Sequence, residues 1–480
     1  MSSAAASPHG APGWPGLSPG PLLLPLLLGS LLAAVVVAAR RLVLRARRAA
    51  AAPSAGAAQA AAERGRLLAP GGAAERPGEG AGGQGGGRPG GGEDASLTAR
   101  VPLHPAELQA PATTVCVTGA TGYLAGVLTA RLLAAGHTVR GTVRALDPAH
   151  PAQAALLALP GAEERLSLHE ADLMAPGSFD PALRGCTAVF HTASPFDMAK
   201  DAEDLVGPAV RGVENVLGSC SRTPSVNRVV LTSSIAATCS SAGEHGAGKK
   251  VDEGCWNSTA SPAFLPYHYS KTQAERRAWE LAEQQDRQAC PSEAGWRLVV
   301  LLPGLVLGPC VGAGRGRASA ESVRLLRRLL SGIMYPFAPN MGVAHVDIRD
   351  VAAGHCLAAF TPGASGRYLL VAGGARMRRM TAVLARLYPG GSVRAAVLPV
   401  RRWVVWLLAP YMRLRRDVVV ASWGAPPVYH TARAEGELGV GAKGWLPLEV
   451  SLYDMVEDLA AKKLVRHPMG PQRPSSASPE

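Results

Sequence analysis

Tyr267 and Lys271 stand four residues apart in the pentapeptide YHYSK. Residues at that spacing share one face of a helix, whereas Tyr269 is two residues from the lysine and points elsewhere. A phenol beside an ammonium can act as a general acid, because the cation favours the phenolate and lowers the phenol pKa. Reduction of a carbonyl needs such a group, since charge developing on oxygen must meet a proton and a hydrogen-bond donor. Hydroxyls for the second task occur about thirty residues earlier, in LTSSIAAT. There Ser233 and Ser234 close a strand-like run and point to opposite sides if the strand continues through them. Lysine is scarce in this arginine-rich chain, which makes Lys271 notable. A compact ammonium suits both a phenol and a ribose hydroxyl, where a guanidinium fork is too broad.

The second constellation is VTGATGYLAG, with Gly119, Gly122 and Ala125 at three-residue spacing. Small residues there let the chain turn tightly, let its backbone approach a pyrophosphate, and let a helix pack on a strand. The helix N-terminus offers free N–H groups and the positive end of a dipole to the phosphates. About twenty residues on, an acidic side chain would hold an adenosine ribose hydroxyl and select NAD(H). This chain has Arg144, with Arg140 just before it. A guanidinium there matches a ribose phosphate and points to NADP(H). Asp147, close by, keeps NAD(H) open as a second cofactor.

These groups need a scaffold, and the pattern supplies one. TTVCVTG, HTVRGTVR, RLSLHEADL, CTAVFHTAS, VNRVVLTSS and WRLVVLLPGLVLG read as apolar strands. YLAGVLTARLLAAG, LVGPAVRGVENVLGSCS and YSKTQAERRAWELAEQQ read as helices between them. Alternating helices and near-continuously apolar strands predict an α/β fold of Rossmann type. It is a doubly wound parallel sheet covered on both faces, with a smaller C-terminal substrate-binding region.

In this order and at these spacings, VTGATGYLAGVLTARLLAAGHTVRGTVR, CTAVFHTASP, VVLTSS, YHYSK and LLPGLVLGP are distinctive together. The chain resembles an extended short-chain dehydrogenase/reductase of the NAD-dependent epimerase/dehydratase superfamily. Within it the chain is most similar to the dihydroflavonol reductase-like and cinnamoyl-CoA reductase-like group. The resemblance covers residues 113 to about 465. It implies an oxidoreductase that reduces a ketone or aldehyde of a small, lipophilic substrate with NADPH. Ser234 would orient the carbonyl, with Ser233 as the alternative. Tyr267 would donate the proton, and Lys271 would lower its pKa and bind the nicotinamide ribose. Gly119, Thr121, Gly122, Tyr123, Leu124, Arg144, Asp172, Thr192, Ala193, Ser194 and Pro303 would line the cofactor with Tyr267 and Lys271. Two competing readings stay open, oxidation of the 3β-hydroxysteroid type and a non-catalytic NADP-binding membrane scaffold. Relatives of the scaffold kind often lack the tyrosine or the lysine, and this chain has both. His191, His268, Asp347, Arg349 and Asp350 read as structural.

The remaining sequence divides by composition. Residues 21–39 form an apolar run of about nineteen residues, long enough to cross a bilayer. Arg40, Arg41, Arg45, Arg47 and Arg48 follow it, which orients the rest of the chain to the cytosol. A plastid or mitochondrial transit peptide and a cleaved signal compete with this anchor. Residues 49–112, rich in Ala, Gly and Pro, predict a disordered linker, residues 113–466 the catalytic domain, and residues 467–480 a disordered tail. RRWVVWLLAPYMRLRR, with apolar centre 403–412, is too short to span but suits a membrane interface. The net charge of +13 gathers beside these apolar segments. No aromatic-interleaved basic groove stands out, so nucleic acid is not expected as a partner. The eight cysteines include no C-x-x-C pair, which predicts free thiols in a reducing compartment and no metal site. A homodimer is common among relatives and is carried as an expectation.

Overall fold

A computed structural model describes residues 102–468, except 195–200, 247, 289–294, 313–320, 333–334, 391–392, 397 and 413. The expected anchor at residues 21–39 and nearly all of the expected linker and tail lie outside these residues. Among the described residues no helix is long and apolar enough to cross a membrane.

Seven parallel strands form the central sheet. They are β1 (Thr114–Val117), β2 (Thr138–Val143), β3 (Leu166–Glu170), β4 (Ala188–His191), β5 (Arg228–Thr232), β6 (Arg297–Pro303) and β10 (Gly366–Leu370). Their spatial order is β10-β6-β5-β4-β1-β2-β3. The order reverses beside β1, which pairs with β2 on one side and β4 on the other. Such a reversal opens a crevice at the carboxyl ends of the strands, where dinucleotides bind in doubly wound sheets.

Both sheet faces are buried because consecutive apolar side chains go to opposite sides. Val115 and Val117 join one core, and Cys116 between them joins the other. Helix α2 (Tyr123–Ala134) and a later helix, Ile348–Phe360, cover the first face. Helices α3 (Ala202–Ser221) and α4 (Pro266–Gln288) cover the second and pack on each other. The seven described cysteines are free and buried.

Two boundaries differ from the sequence expectation. The run WRLVVLLPGLVLG is not one strand. It breaks at Gly304, and Leu305–Leu307 (β7) leaves for a three-stranded sheet with β9 (Gly342–Asp347) and β11 (Gly373–Arg376). A Cβ on Gly304 would sit 2.8 Å from the carbonyl oxygen of Ala344, so only glycine permits the crossing. The three-stranded sheet and the helices around it form a separate C-terminal core. A short third sheet pairs β8 (Phe337–Ala338) with β12 (Leu398–Pro399).

Secondly, ordered chain begins before Thr113. Pro105–Gln109 is a helix, α1, inside the expected linker. A capping box holds its start: the His104 side chain accepts from the Ala106 N–H, and Glu107 accepts from the His104 N–H at 2.6 Å. Glu107 is fully buried and takes two hydrogen bonds of 2.6 Å from Arg131 of α2, while Arg131 also reaches the Pro102 carbonyl. At the other end, His467 still bonds Glu457 at 3.0 Å.

Removing one partner from a buried ion pair leaves the other charge uncompensated, at a cost of about 3–5 kcal/mol. Glu107→Ala should therefore lower the unfolding free energy by about 3 kcal/mol or more. Urea denaturation with unchanged m-value reads this directly. A loss below about 1 kcal/mol would return these residues to a passive linker.

Candidate active site

β5 ends at Thr232, and a 3-10 turn over Ile235–Ala237 follows at once. Ser234 caps that turn, its hydroxyl accepting from the Ala236 N–H at 3.2 Å. The two adjacent serines are thereby separated. Ser233 is buried and donates to Glu275 at 2.6 Å. Ser234 is half-buried and shares a hydrogen bond with the Tyr267 hydroxyl. Alternation across the strand end thus assigns Ser233 to the protein interior and Ser234 to the tyrosine.

Pro266 starts α4, where its missing N–H costs nothing. The residue before it, Leu265, is buried and adopts φ +55°, a conformation that L side chains with a bulky Cβ rarely take. Its N–H donates to Asp417 at 2.9 Å, and its carbonyl accepts from the Tyr269 N–H at 3.0 Å. Backbone strain held from both sides fixes how α4, and Tyr267 on its first turn, enters the site. Asp417 has no motif of its own. Its signal in the sequence is that it is the one acid in the arginine-rich stretch 394–420.

Lys271 follows one turn after Tyr267 and is also buried. Its ammonium donates to the Ser194 hydroxyl at 3.1 Å. Burial lowers its pKa to about 8, opposed by the negative charge of Glu275 a further turn along. Glu275 is shared: Ser233 donates to it, and Arg367 of β10 meets it at 2.6 Å. Arg367 also stacks on Trp256 at 3.9 Å and donates to the Glu253 and Cys255 carbonyls at 2.7 Å. Neither Glu275 nor Arg367 stood out in the sequence; Glu275 could have been found as the residue four beyond Lys271.

The pKa of Tyr267 is raised, chiefly by burial, with the Ser234 hydrogen bond opposing and the charge of Glu321 adding. The phenol is therefore held in its neutral, proton-bearing form.

The glycine turn lies where β1 meets α2. Gly119 has φ +64°, and a Cβ there would lie 3.0 Å from the Ala193 Cβ. Gly122 caps α2 without a side chain, and a Cβ on it would lie 3.0 Å from the Gly119 carbonyl oxygen. Both gaps are cradles that a larger residue would fill, at the start of a helix. The strand-end residues are knitted to this turn. Ala193 N–H donates to the Thr118 hydroxyl at 3.1 Å, and Thr192 donates to the Thr118 carbonyl at 2.5 Å. His191 contacts the same hydroxyl at 3.0 Å, and burial followed by Lys271 lowers its pKa to about 3, so it is a neutral structural group.

The other expected positions follow. Thr121 and Leu124 flank Gly122, and Tyr123 donates to the Gly308 carbonyl at 2.6 Å, tying α2 to the end of β7. Pro303 ends β6, and Asp172 follows β3, accepting from the Met174 N–H at 2.9 Å. Of the two arginines on the second strand, Arg140 is spent on the carbonyls of Ala182 and Arg184. Arg144, just past the strand end, is exposed. Asp347, Arg349 and Asp454 form a buried ion-pair set at 2.7–2.8 Å, with Asp350 beside them, a structural role as expected.

The two serines make separable predictions. Ser234→Ala should lower kcat by roughly 10²–10³-fold, as for loss of an oxyanion donor, with little change in stability. Ser233→Ala should cost about 1–2 kcal/mol of stability through the unsatisfied Glu275 and spare kcat within a few-fold. Steady-state kinetics with thermal melts on both variants test this, and a reversed pattern would exchange the roles.

The model of the NAD dependent epimerase/dehydratase family matches residues 115–371. The chain is 34% identical over 355 residues to cinnamoyl-CoA reductase CAD2 of Medicago truncatula, covering 73% of this chain and 96% of that protein. It is 40% identical over 277 residues to cinnamoyl-CoA reductase 2 of Arabidopsis thaliana, covering 57% and 77%. Among solved structures it is similar to Gre2 from Candida albicans in complex with NADPH. The TM-score is 0.58 and the identity 26%, over 73% of this chain and 99% of that one.

Proposed function

Because this chain belongs to the NAD dependent epimerase/dehydratase family, and within it to the extended short-chain group related to dihydroflavonol and cinnamoyl-CoA reductases, we propose that it is an NADPH-dependent carbonyl reductase. The substrate class is a small, lipophilic ketone or aldehyde. The observation that carries this reading is the hydrogen bond between Tyr267 and Ser234 with the buried Lys271 one helical turn away. Relatives named as reductases, and a similar structure with NADPH bound, support it.

The residues present fit a dinucleotide. The pyrophosphate would lie on the turn at Gly119–Gly122, where close approach of the backbone is open. Arg144 would meet the ribose phosphate, and Ala193, Ser194 and Lys271 would line the nicotinamide side. When bound, the reduced nicotinamide supplies the hydride equivalent that the protein cannot. The chain supplies orientation and a proton. Ser234 would donate to the carbonyl oxygen and fix its direction. Tyr267 would give its phenolic proton to that oxygen as negative charge develops there. Lys271, exchanging Ser194 for a ribose hydroxyl, would keep a positive charge beneath the phenol as the proton leaves. Burial keeps the phenol in its neutral, proton-bearing form, the state from which a proton is given.

We also propose that residues 21–39 anchor the chain, with the catalytic unit on the cytosolic side, the orientation favoured by the arginines that follow.

Tyr267→Phe should abolish carbonyl-dependent NADPH oxidation while NADPH still quenches protein fluorescence; retained turnover removes Tyr267 as the acid. In the wild type, kcat/KM for reduction should fall as pH rises through about 8, because Lys271 is charged below that value and neutral above it. Lys271→Arg, which stays charged, should lose this limb.

Arg144→Ala should lower the NADPH over NADH preference by roughly 10-fold or more, the scale of a lost charge-assisted bidentate contact. An unchanged ratio of kcat/KM values for the two cofactors would discard the assignment.

A further inference from the structure

The C-terminal region carries a second constellation that the reductase site does not use. Arg376, Arg378, Arg401, Arg402, Trp403 and Trp423 line a cavity of about 650 Å³. They arrive from separate places: Arg376 ends β11, Trp423 bridges to Met341, and residues 401–403 lead into the short helix α5 (Arg402–Leu408). No Asp or Glu lines the cavity, and among the described residues none of these four guanidiniums has an ion pair. Four like charges around one hollow repel one another, so the site favours an anion.

The rim is apolar as well as cationic. Trp403 is 63% exposed, Trp406 40% and Tyr411 77%. Phe337 and Leu398, directly paired between β8 and β12, are about half exposed. Within α5 only Val405 is buried, so the segment is not the buried helix that its apolar centre would suit. Helix α6 (Arg416–Ala421) packs against α5, with Arg416 over the Trp406 ring at 4.2 Å. Exposed aromatics among unpaired arginines leave both an apolar and an anionic demand unmet.

We propose that this face docks on an anionic phospholipid bilayer. Lipid phosphates sit among Arg376, Arg378, Arg401 and Arg402, while Trp403, Trp406, Phe337 and Leu398 enter the interfacial layer. A bilayer meets both demands at once. A soluble anion leaves the aromatic rim in water. A second copy of the chain brings arginines against arginines in a self-complementary contact. The site deepens the membrane reading of segment 403–412 with residues the sequence did not connect to it, and it stands without the 21–39 anchor.

The test uses the full chain with vesicles of phosphatidylcholine alone and with added phosphatidylserine. Binding to uncharged vesicles reads residues 21–39, and the increment on adding phosphatidylserine reads the docking face. The increment should be at least ~10-fold and shrink at high salt. Arg401→Glu with Arg402→Glu should remove it while leaving phosphatidylcholine binding and the thermal midpoint unchanged. Brominated acyl chains should quench wild-type tryptophan fluorescence, and less so in Trp403→Phe with Trp406→Phe. An increment that survives the arginine changes overturns the proposal. So does quenching that is indifferent to the two tryptophans. Single-stranded RNA binding lost in the arginine variant without any lipid increment would make the face a nucleic-acid site instead. A dimer that dissociates in Trp403→Ser with Trp406→Ser, with the lipid increment intact, would make it a contact between copies.

Discussion

Lys271 is a charged group placed where water does not reach, and much of the site follows from making that tolerable. A buried ammonium needs acceptors and a counter-charge, or it loses its proton. Ser194 supplies the acceptor at 3.1 Å, and Glu275, one turn further along the same helix, supplies the charge. Glu275 is itself fully enclosed and needs more than one partner. It has Ser233 from the end of β5 and Arg367 from β10, and Arg367 in turn lies on Trp256. The network therefore fastens α4 to two strands of the sheet. It also explains why two adjacent serines serve different ends: one is spent on the counter-charge, which leaves the other for the tyrosine. A bond at the interior end of the network fixes the geometry at the reactive end.

The nucleotide half obeys a different constraint, that of space. The order of strands reverses at β1, so the turn after β1 faces a crevice rather than another strand connection. Gly119 keeps that crevice open because no other residue tolerates both its φ and the nearness of Ala193. Thr118 then gathers Thr192, Ala193 and His191 around itself, so that the β1 and β4 ends form one surface. Ser194 stands three residues from His191 and meets Lys271. The two halves of the site thus touch at this side-chain contact, where a ribose would come between them.

The sequence made legible what depends on local spacing. The parallel sheet followed from strand and helix alternation, the phosphate turn from three small residues, and the Tyr267–Lys271 pair from helical period. What it hid depends on contacts distant in the chain. Ser233 and Ser234 could not be distinguished, because the strand gives way to a 3-10 turn at that point and Glu275 lies some forty residues on. Arg140 and Arg144 looked alike until the first was found bound to the Ala182 carbonyl. The strand read through Gly304 was broken by the approach of Ala344, which no apolar pattern records. Helix α1 was lost in an Ala- and Pro-rich background although its capping box is local; its anchor, Arg131, is not. Spacing places Tyr267 and Lys271 on one helix face, but their burial and the Ser194 contact come from residues far along the chain.

Leu265 links the catalytic turn to the cationic face. A non-glycine residue in the left-handed region costs about 1–2 kcal/mol, and it persists only where its surroundings over-determine it. Here the restraint is Asp417, held by Arg415, which also pairs with Asp201 at the start of α3. Asp417 lies in α6, and the next residue toward the surface, Arg416, stacks on Trp406. One short helix therefore presents its arginine to the exposed aromatic rim and its aspartate to the peptide that sets the entry of Tyr267. Whatever displaces or steadies α6 at the surface acts, through the Asp417 carboxylate, on the backbone two residues from Tyr267. The arrangement makes the exposed aromatic surface and the turn that carries Tyr267 parts of one packing unit.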